Sequence, residues 1–315
     1  QGDFDGKKFF KRAYYETKYV YKLVSFARKL PCNLTVATSP YMSIIPLVAY
    51  GIPGVKILDV RDLVWEYLDD NSFFKKMIKK ALSFFIMISM KKFHHITVTN
   101  ACELNVLKAK FQMKGVSIIT NGIEINKYKE LSNIVMVRGK VINIIYAGNV
   151  GLAQNLKVFT DAALEFPNIN FLIIGSGSDE KQLNQHVRKI KAGNVKLIGQ
   201  ISWEDLRDYY KKSSILYCQL NEKYITAIPS KLYEYAALGL PIIYGGDGQS
   251  KSFVDSLENS AVIKPNDLQE LVSAISNMEN IFGVISKKNR ELIRKNYLRE
   301  ESARKFSSVV SEFIN

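Results

Sequence analysis

The sequence predicts two α/β domains, each built on a doubly wound parallel sheet. The chain has 315 residues, of which 47% are hydrophobic and 23% charged, so it can bury two sizeable cores. Short β-branched runs alternate with longer helical patterns along its whole length, a rhythm typical of parallel sheets. A polar stretch at 127–140 follows the turn signal Asn121-Gly122 and divides the chain into two halves.

The first half is predicted to consist of a long helix at 9–30 followed by four strands. The strand-like runs are Leu34–Ala37, Val55–Val60, Ile96–Thr99 and Val116–Thr120. The half opens on a helix and not on a strand with a glycine turn. We therefore expect this domain to be truncated at its start, lacking one or two leading βα units.

The second half is predicted to carry six strands with helices between them. The strand-like runs are Val141–Tyr146, Phe171–Ile174, Val195–Ile198, Ile215–Tyr217, Ile242–Tyr244 and Ala261–Ile263. The main helical patterns are Asn155–Glu165, Asp179–Lys191, Glu204–Lys212 and Lys231–Leu238. We predict one domain at 1–135, a second at 136–298, and a C-terminal helix at 299–315 that crosses back to the first.

Composition narrows the classes of partner. The 44 Lys and Arg outnumber the 30 Asp and Glu, which favours anionic ligands or surfaces. The three cysteines form no CxxC pair and there are three histidines, so we expect neither a disulfide framework nor a metal site. No apolar run approaches the ~20 residues that a membrane-spanning helix needs.

The segment 227–243 has the pattern of a phosphate-binding helix start. Pro229 and Ser230 are predicted to begin a helix, with Ser230 as its N-cap, and Gly239 ends it. Lys231 then lies in the first turn, where a cation is favourable only if an anion is bound nearby. Glu234 follows one turn later and would accept hydrogen bonds from two sugar hydroxyls. The alternative is a surface Lys–Glu pair on an ordinary helix.

Two glycine-bearing turns follow strands of the second half. Gly148 and the amides near Asn149 and Val150 would let a backbone approach a phosphate. Gly175 and Gly177 resemble the start of a dinucleotide fingerprint, but Glu180 stands where its third glycine should be, so an NAD site is not expected. The alternative for both segments is a plain tight turn between a strand and a helix.

In the first half, charged residues follow a strand. Arg61, Asp62 and Glu66 come after the run at 55–60, and the carboxyl ends of parallel strands are where ligands of such sheets bind. Asp62 is our candidate for a catalytic or acceptor-side carboxylate, and Glu66 is the second candidate. Arg61 is the third residue that we assign to this catalytic group. The alternatives for Asp62 are a helix cap or an ion pair with Arg61.

Residues 71–95 combine lysines with phenylalanines and contain no acidic residue. A basic amphipathic helix with aromatic side chains is typical of an element that lies on a membrane surface. A long surface helix with one buried face is the alternative. Nucleic acid is a third possibility, but no binding motif accompanies the charge, and we expect no nucleic-acid partner.

Several motifs together resemble a known family. They are Pro229–Pro241, Ala147–Leu156, Gly175-Ser176-Gly177, Val60–Leu63 and Ile119–Ile123. In this order they resemble retaining GT-B glycosyltransferases of family 4, and they are similar to the L-fucosamine transferase-like branch that builds bacterial surface polysaccharides. The resemblance runs from about residue 35 to the C-terminus.

The resemblance implies a GT-B fold, with two Rossmann-like domains facing a cleft. It implies retaining transfer of a hexosyl or N-acetylhexosaminyl group from a nucleotide sugar, UDP-linked, to a saccharide acceptor on a polyprenyl diphosphate. The first domain would be the acceptor side and the second the nucleotide-sugar side, in a cytoplasmic protein peripheral at the inner face of the membrane. No cofactor and no metal ion are expected.

The same resemblance assigns donor-binding residues. These are Gly148, Asn149, Val150, Gly175, Gly177, Ser230, Lys231, Leu232 and Glu234. The family carries two glutamates separated by seven residues. Glu234 matches the second, and Thr226 stands at the position of the first.

Three other functions remain compatible with the sequence. A catalytically silent GT-B partner protein is favoured by Thr226 and would turn over no donor. A GT-B sugar-nucleotide epimerase would convert a sugar nucleotide without an acceptor. A nucleic-acid-binding module would show binding that falls steeply with salt.

Overall fold

The computed structural model describes residues 6–39, 41–68, 70–137 and 141–314. The chain divides into two compact units, Gln1–Thr120 with Ala303–Asn315, and Asn121–Ser302. The domain boundaries at 135 and 298 stay predictions. Residues 138–140 of the polar stretch lie outside the described ranges.

The first unit is built on a sheet of four parallel strands in the order β1-β2-β3-β4. The strands are β1 (Leu34–Thr38), β2 (Val55–Asp59), β3 (His95–Val98) and β4 (Val116–Ile118). Most of β2 and β3 is buried, as expected for parallel strands covered on both faces.

Helices connect these strands. They are α1 (Gly6–Ala27), α2 (Ile44–Gly51), α3 (Phe73–Met90) and α4 (Ala101–Phe111). Helix α1 ends at Ala27 and not at the predicted residue 30, because Pro31 disfavours helical backbone in the residue before it. Helix α3 begins after Ser72, whose hydroxyl accepts a hydrogen bond from the Lys75 amide at 3.3 Å.

The second unit is built on six parallel strands in the order β10-β9-β8-β5-β6-β7. The strands are β5 (Ile142–Ala147), β6 (Ile169–Ile174), β7 (Val195–Gly199), β8 (Ile215–Gln219), β9 (Ile242–Gly245) and β10 (Ser260–Ile263). The side chains of β5 alternate between two cores: Ile144 and Tyr146 face one, and Ile145 and Ala147 face the other. The sheet is therefore covered on both faces.

The helices of the second unit fill the connections. They are α5 (Ile125–Ser132), α6 (Lys157–Ala162), α7 (Glu180–Ile190), α8 (Trp203–Lys211), α9 (Ser230–Leu238), α10 (Gly248–Asp255), α11 (Leu268–Asn277) and α12 (Lys287–Asn296), with a 3₁₀ turn at Glu279–Ile281. A last helix, α13 (Arg299–Ser311), begins in the second unit and continues into the first.

The prediction of two parallel-sheet α/β domains is confirmed, and each predicted strand corresponds to an observed one. Helix α6 is shorter than the predicted 155–165. Asn155 has a left-handed backbone with φ of 38°, which delays the start, and Pro167 stops the chain from continuing as a helix. Within the described ranges, no helix combines the length and apolarity that crossing a bilayer requires.

Candidate functional site

The sheet of the second unit has a switch point beside β5. Strands β6 and β7 lie to one side of β5, and β8, β9 and β10 lie to the other. Ligands of such sheets bind outside the carboxyl ends of the strands, where the strand order reverses. The loops after β5 and β8 therefore mark the position of a ligand, and α9 begins at the end of the second loop.

A cavity of about 270 Å³ opens at this position. The cavity is lined by the last residues of β5 and β6 and by the loops that follow β5, β6 and β7. Helices α8 and α9 each add one residue. The lining residues are Ala147, Gly148, Asn149, Ile174, Gly175, Ser176, Gln200, Ile201, Leu206 and Lys231. Lys231 is the charged side chain among these described residues, so the cavity favours an anion beside an apolar wall.

A larger groove of about 760 Å³ lies between β10 and α11. Strand β10 is at the outer edge of the sheet, far from the switch point. The acidic side chain of this groove, Glu270, pairs with Lys264 at 3.2 Å. We therefore assign the candidate site to the smaller cavity, where chain topology and charge agree.

The predicted glycine turns pack against each other. A Cβ atom on Gly175, whose φ is 135°, would overlap the carbonyl oxygen of Gly148, and one on Gly177 would overlap that of Val150. The Gly148 amide donates to the Ile174 carbonyl at 2.9 Å, and the Val150 amide donates to the Ser176 carbonyl at 3.0 Å. In this structure these two amides are therefore engaged within the fold, contrary to the open amide cradle that we expected.

Helix α9 presents its first turn to the cavity through Lys231. Its N-cap is Pro229, whose ψ of 133° is not helical, so the prediction that Ser230 is the N-cap is wrong. Ser230 is the first helical residue and is exposed. The Leu232 amide donates to the Pro229 carbonyl at 3.0 Å, while the Leu232 side chain is fully buried. The remaining α9 amides of this turn carry the positive end of the helix dipole.

Glu234 lies one turn into α9 and is held by two lysines. Lys231 Nζ is 3.0 Å from Glu234 Oε2, and Lys127 Nζ is 2.8 Å from Oε1. The predicted Lys231–Glu234 pair is thus present, but it is not an exposed surface pair, since 10% of the Glu234 side chain is exposed. Sequence reasoning did not identify Lys127, which is far from Glu234 along the chain.

Lys127 itself is braced by an aromatic ring. Its Nζ lies 4.7 Å from the centroid of the Trp203 ring, a cation–π contact. The Trp203 Nε1 donates to Glu130 Oε2 at 2.6 Å, and Arg207 pairs with the same carboxylate at 3.2 Å. Helices α5 and α8 are therefore joined beside the Glu234 carboxylate.

Thr226, which replaces the first glutamate of the family pattern, is 2% exposed. It lies in the loop between β8 and α9, next to Ile225, whose carbonyl accepts the Gln249 amide at 2.7 Å. In the family pattern, a glutamate at this position contacts the donor sugar. Thr226 is buried, so its side chain does not replace that contact.

In the first unit, Arg61 pairs with a residue that was not predicted. Its Nε is 2.7 Å from Asp59 Oδ2, so the alternative of an Arg61–Asp62 pair is not the arrangement observed. Asp59 is 3% exposed and also accepts hydrogen bonds from the hydroxyls of Thr97 at 2.7 Å and Thr38 at 3.3 Å. Asp59 thus joins three strands and anchors Arg61 at their carboxyl ends.

Asp62 and Glu66 follow Arg61 and are both partly buried. Burial raises the pKa of Asp62 from 3.8 to about 6. A carboxyl group with such a pKa can exchange a proton near neutral pH, which suits an acid or base.

A second acidic residue of the first unit, Glu103, was missed. Burial raises its pKa from 4.5 to about 7, hydrogen bonds from Thr99 oppose the rise, and the charge of Asp62 adds to it. Its Oε2 accepts the amide and the hydroxyl of Thr99, each at 2.7 Å, whereas its Oε1 is buried without a hydrogen-bond partner among the described residues. The spacing Asn100-x-x-Glu103, a capping-box pattern, would have drawn attention to it.

No group of three or more His, Cys, Asp or Glu in the described part of the chain is arranged to hold a metal ion. The expectation that the chain works without metal or cofactor stays a prediction.

Comparison with known proteins agrees with this geometry. The family "Glycosyl transferases group 1" matches residues 129–299, which contain the switch point, the cavity and α9. An "Uncharacterized glycosyltransferase" of Haemophilus influenzae is 25% identical over 232 residues, covering 71% of this chain and 61% of the relative. An "Alpha-monoglucosyldiacylglycerol synthase" of Acholeplasma laidlawii is 26% identical over 163 residues, covering 51% of this chain and 40% of the relative. This chain thus spans less than two thirds of either relative.

A solved structure extends the likeness of the fold to both units. HepE of Anabaena, determined in complex with UDP and glucose, superposes with a TM-score of 0.72 at 13% identity, over 93% of this chain and 80% of its own. That identity shows the GT-B fold and nothing more specific. The family match, by contrast, covers more than half of the sequence, and the chain belongs to the glycosyl transferases group 1 family.

Proposed function

We propose that this chain is a retaining glycosyltransferase that moves a hexosyl or N-acetylhexosaminyl group from a UDP-sugar to a saccharide acceptor. The observation that carries the proposal is Lys231 at the first turn of α9, in the cavity at the switch point. Membership of the family supports glycosyl transfer, and the UDP complex of HepE supports the nucleotide. The resemblance to family 4 supports retention.

The donor would bind with its diphosphate at Lys231 and the N-terminus of α9. The apolar wall formed by Ile174, Ile201 and Leu206 would receive the base. Glu234 would accept hydrogen bonds from the ribose hydroxyls. Gly175 and Gly177 would serve by allowing the two loops to pack closely, so that the cavity keeps its shape.

The chemistry then follows from charge. The bond between the anomeric carbon and the diphosphate oxygen breaks, and its electrons leave with the diphosphate. Lys231 and the helix dipole stabilise that developing charge. The acceptor hydroxyl forms its bond to the anomeric carbon on the same face, and its proton passes to the departing phosphate oxygen.

Asp62 would be the acceptor-side carboxylate of the first unit. Ionised above its raised pKa of about 6, it would accept a hydrogen bond from the acceptor hydroxyl and orient it, while the hydroxyl proton passes to the departing phosphate oxygen. Arg61, anchored by Asp59, would keep the segment after β2 in place, and Glu66 is the second candidate for the same role.

The acceptor would be lipid-linked, at the cytoplasmic face of a membrane, in surface polysaccharide synthesis. Helix α3 supports this proposal. Phe73 is 81% exposed and Phe74 is 71% exposed, beside a row of lysines. Helix α1, which packs on α2 as α3 does, also exposes aromatic residues. They are Tyr14, Tyr15, Tyr19, Tyr21 and Phe26. Exposed rings with lysines match an anionic bilayer surface.

Replacing four lysines of α3 with glutamine should release the protein from anionic vesicles. The four are Lys75, Lys76, Lys79 and Lys80. We expect binding to phosphatidylglycerol vesicles to weaken by about 1,000-fold, because each of the four lysines contributes about 1 kcal/mol at such a surface. Co-sedimentation measures the effect.

The control removes the same charge from the second unit, at four exposed lysines. These are Lys181, Lys196, Lys264 and Lys287. If both quadruple variants bind vesicles alike, or if the parent chain does not bind them, α3 is not a membrane-binding helix.

The proposed activity is tested by UDP release from UDP-glucose and UDP-N-acetylglucosamine, with and without a polyprenyl-diphosphate-linked saccharide. Acceptor-dependent release, with the anomeric configuration of the donor kept in the product, is the expected result. Asp62→Asn should lower turnover while UDP binding persists. A folded chain that binds UDP but releases none with any acceptor would favour the silent partner protein, which the buried Thr226 supports.

A further inference from the structure

The Glu234 carboxylate has a separate lysine on each oxygen. Lys231, on Oε2, also lines the cavity, so this one side chain borders both Glu234 and the position proposed for the diphosphate. Lys127, on Oε1, comes from another helix, α5. Both lysines thus contact Glu234, but of the two only Lys231 is among the residues that line the cavity.

Lys127 is fixed more firmly than a surface lysine. Its ammonium lies over the Trp203 ring at 4.7 Å, and that ring is held by Glu130, one turn along α5. The Lys127 side chain is 33% exposed. Because Lys127 is already held, it loses less conformational freedom than a mobile surface lysine would when it fixes the orientation of the Glu234 carboxylate.

We propose that Lys127 is a positioning residue for nucleoside recognition, holding the Glu234 carboxylate while Lys231 turns to the diphosphate. This inference rests on the proposed function. When Lys231 leaves Oε2, that oxygen becomes free to accept the ribose hydroxyls. Lys127 remains on Oε1, so the carboxylate is neither left without a counter-ion nor free to rotate. A partly buried carboxylate without a partner would be costly, so Lys127 makes the exchange possible.

The readout is the affinity ratio between UDP and its 2′,3′-dideoxy analogue, which lacks both ribose hydroxyls. In the parent chain we expect UDP to bind at least about tenfold more tightly, since hydrogen bonds to a charged group are worth about 1.5–3 kcal/mol. In Lys127→Met the ratio should fall below about twofold, because the carboxylate is no longer oriented. Lys127→Arg should restore it.

The control is Lys129→Met, which removes an exposed lysine from the same helix. A variant that merely damages the fold would weaken both ligands equally and keep the ratio. The thermal melting of each variant is measured alongside.

The outcomes separate the two proposals. If Lys127→Met keeps the parent's affinity ratio between UDP and the dideoxy analogue, the inference is overturned. The proposed function still stands in that case, provided that the parent binds UDP. A parent that binds UDP and its dideoxy analogue equally removes Glu234 as the ribose ligand and overturns the inference as well. A folded parent that binds no uridine nucleotide contradicts the proposed function itself.

Discussion

Replacing Lys231 with methionine is expected to weaken UDP binding by about 10- to 100-fold, the loss of a contact between an ammonium and a phosphate. Methionine keeps most of the side-chain stem, so the packing beside Gly148 is largely retained. The affinity for uridine, which carries no phosphate, should change little. Isothermal titration of both ligands measures the difference.

The matched control is Lys251→Met. Lys251 lies in the same unit and pairs with Asp255 at 3.1 Å, so this variant also loses one charge and one ion pair. If Lys231→Met binds UDP as tightly as Lys251→Met does, the diphosphate is not bound at α9.

Replacing Glu103 with glutamine is expected to change how the stability of the first unit depends on pH. The folded pKa of Glu103 is raised from 4.5 to about 7, chiefly by burial. The stability that this group contributes is therefore complete below pH 4.5 and is lost as the pH rises through 7. For a fully buried residue the loss is about 3 kcal/mol by pH 9.

Glu103→Gln removes that loss because the amide does not ionise, while its oxygen can still accept hydrogen bonds from Thr99. Relative to the parent, the variant should gain about 3 kcal/mol between pH 4.5 and pH 9. The two tryptophans allow the first unit to be followed alone: Trp65 lies in it, and Trp203→Phe removes the other. Denaturant unfolding monitored by Trp65 fluorescence gives the stabilities.

Glu312→Gln, at an exposed position of the same unit, controls for the loss of one carboxylate. Parallel stability curves for the parent and Glu103→Gln would show that Glu103 is already ionised in the folded chain near neutral pH. In that case its buried Oε1 would need a partner that the described residues do not supply.

The parallel sheets were predictable because their strands carry a strong local signal. Buried on both faces, a strand such as β8 reads as Ile-Leu-Tyr-Cys-Gln, all of it buried. Both ends of α9 were also predictable to within one residue, the start from Pro229 and the end from Gly239, since proline and glycine act on the backbone where they stand. These effects depend on neighbours in sequence, so one sequence is enough to reveal them.

The long-range contacts of the site were not predictable. Lys127 and Glu234 are 107 residues apart, and only the packing of α5 on α9 brings them together. Asp59 likewise ends β2 as an ordinary strand residue, and its role in holding Arg61 depends on Thr97 from the neighbouring strand. The engaged amides of Gly148 and Val150 depend on how two loops fold against each other, which the glycine spacing alone does not determine.

The measurement that tests the central claim most directly is a thermal-shift titration of the parent chain with UDP, GDP, ADP and UDP-N-acetylglucosamine, with and without EDTA. A ligand bound by the folded state alone stabilises it by about 2.7 kcal/mol at 100 times its Kd. We expect a rise in Tm with the uridine nucleotides that persists in EDTA and is clearly smaller in Lys231→Met at the same nucleotide concentration. A folded chain whose Tm none of these nucleotides raises would contradict the donor site at α9.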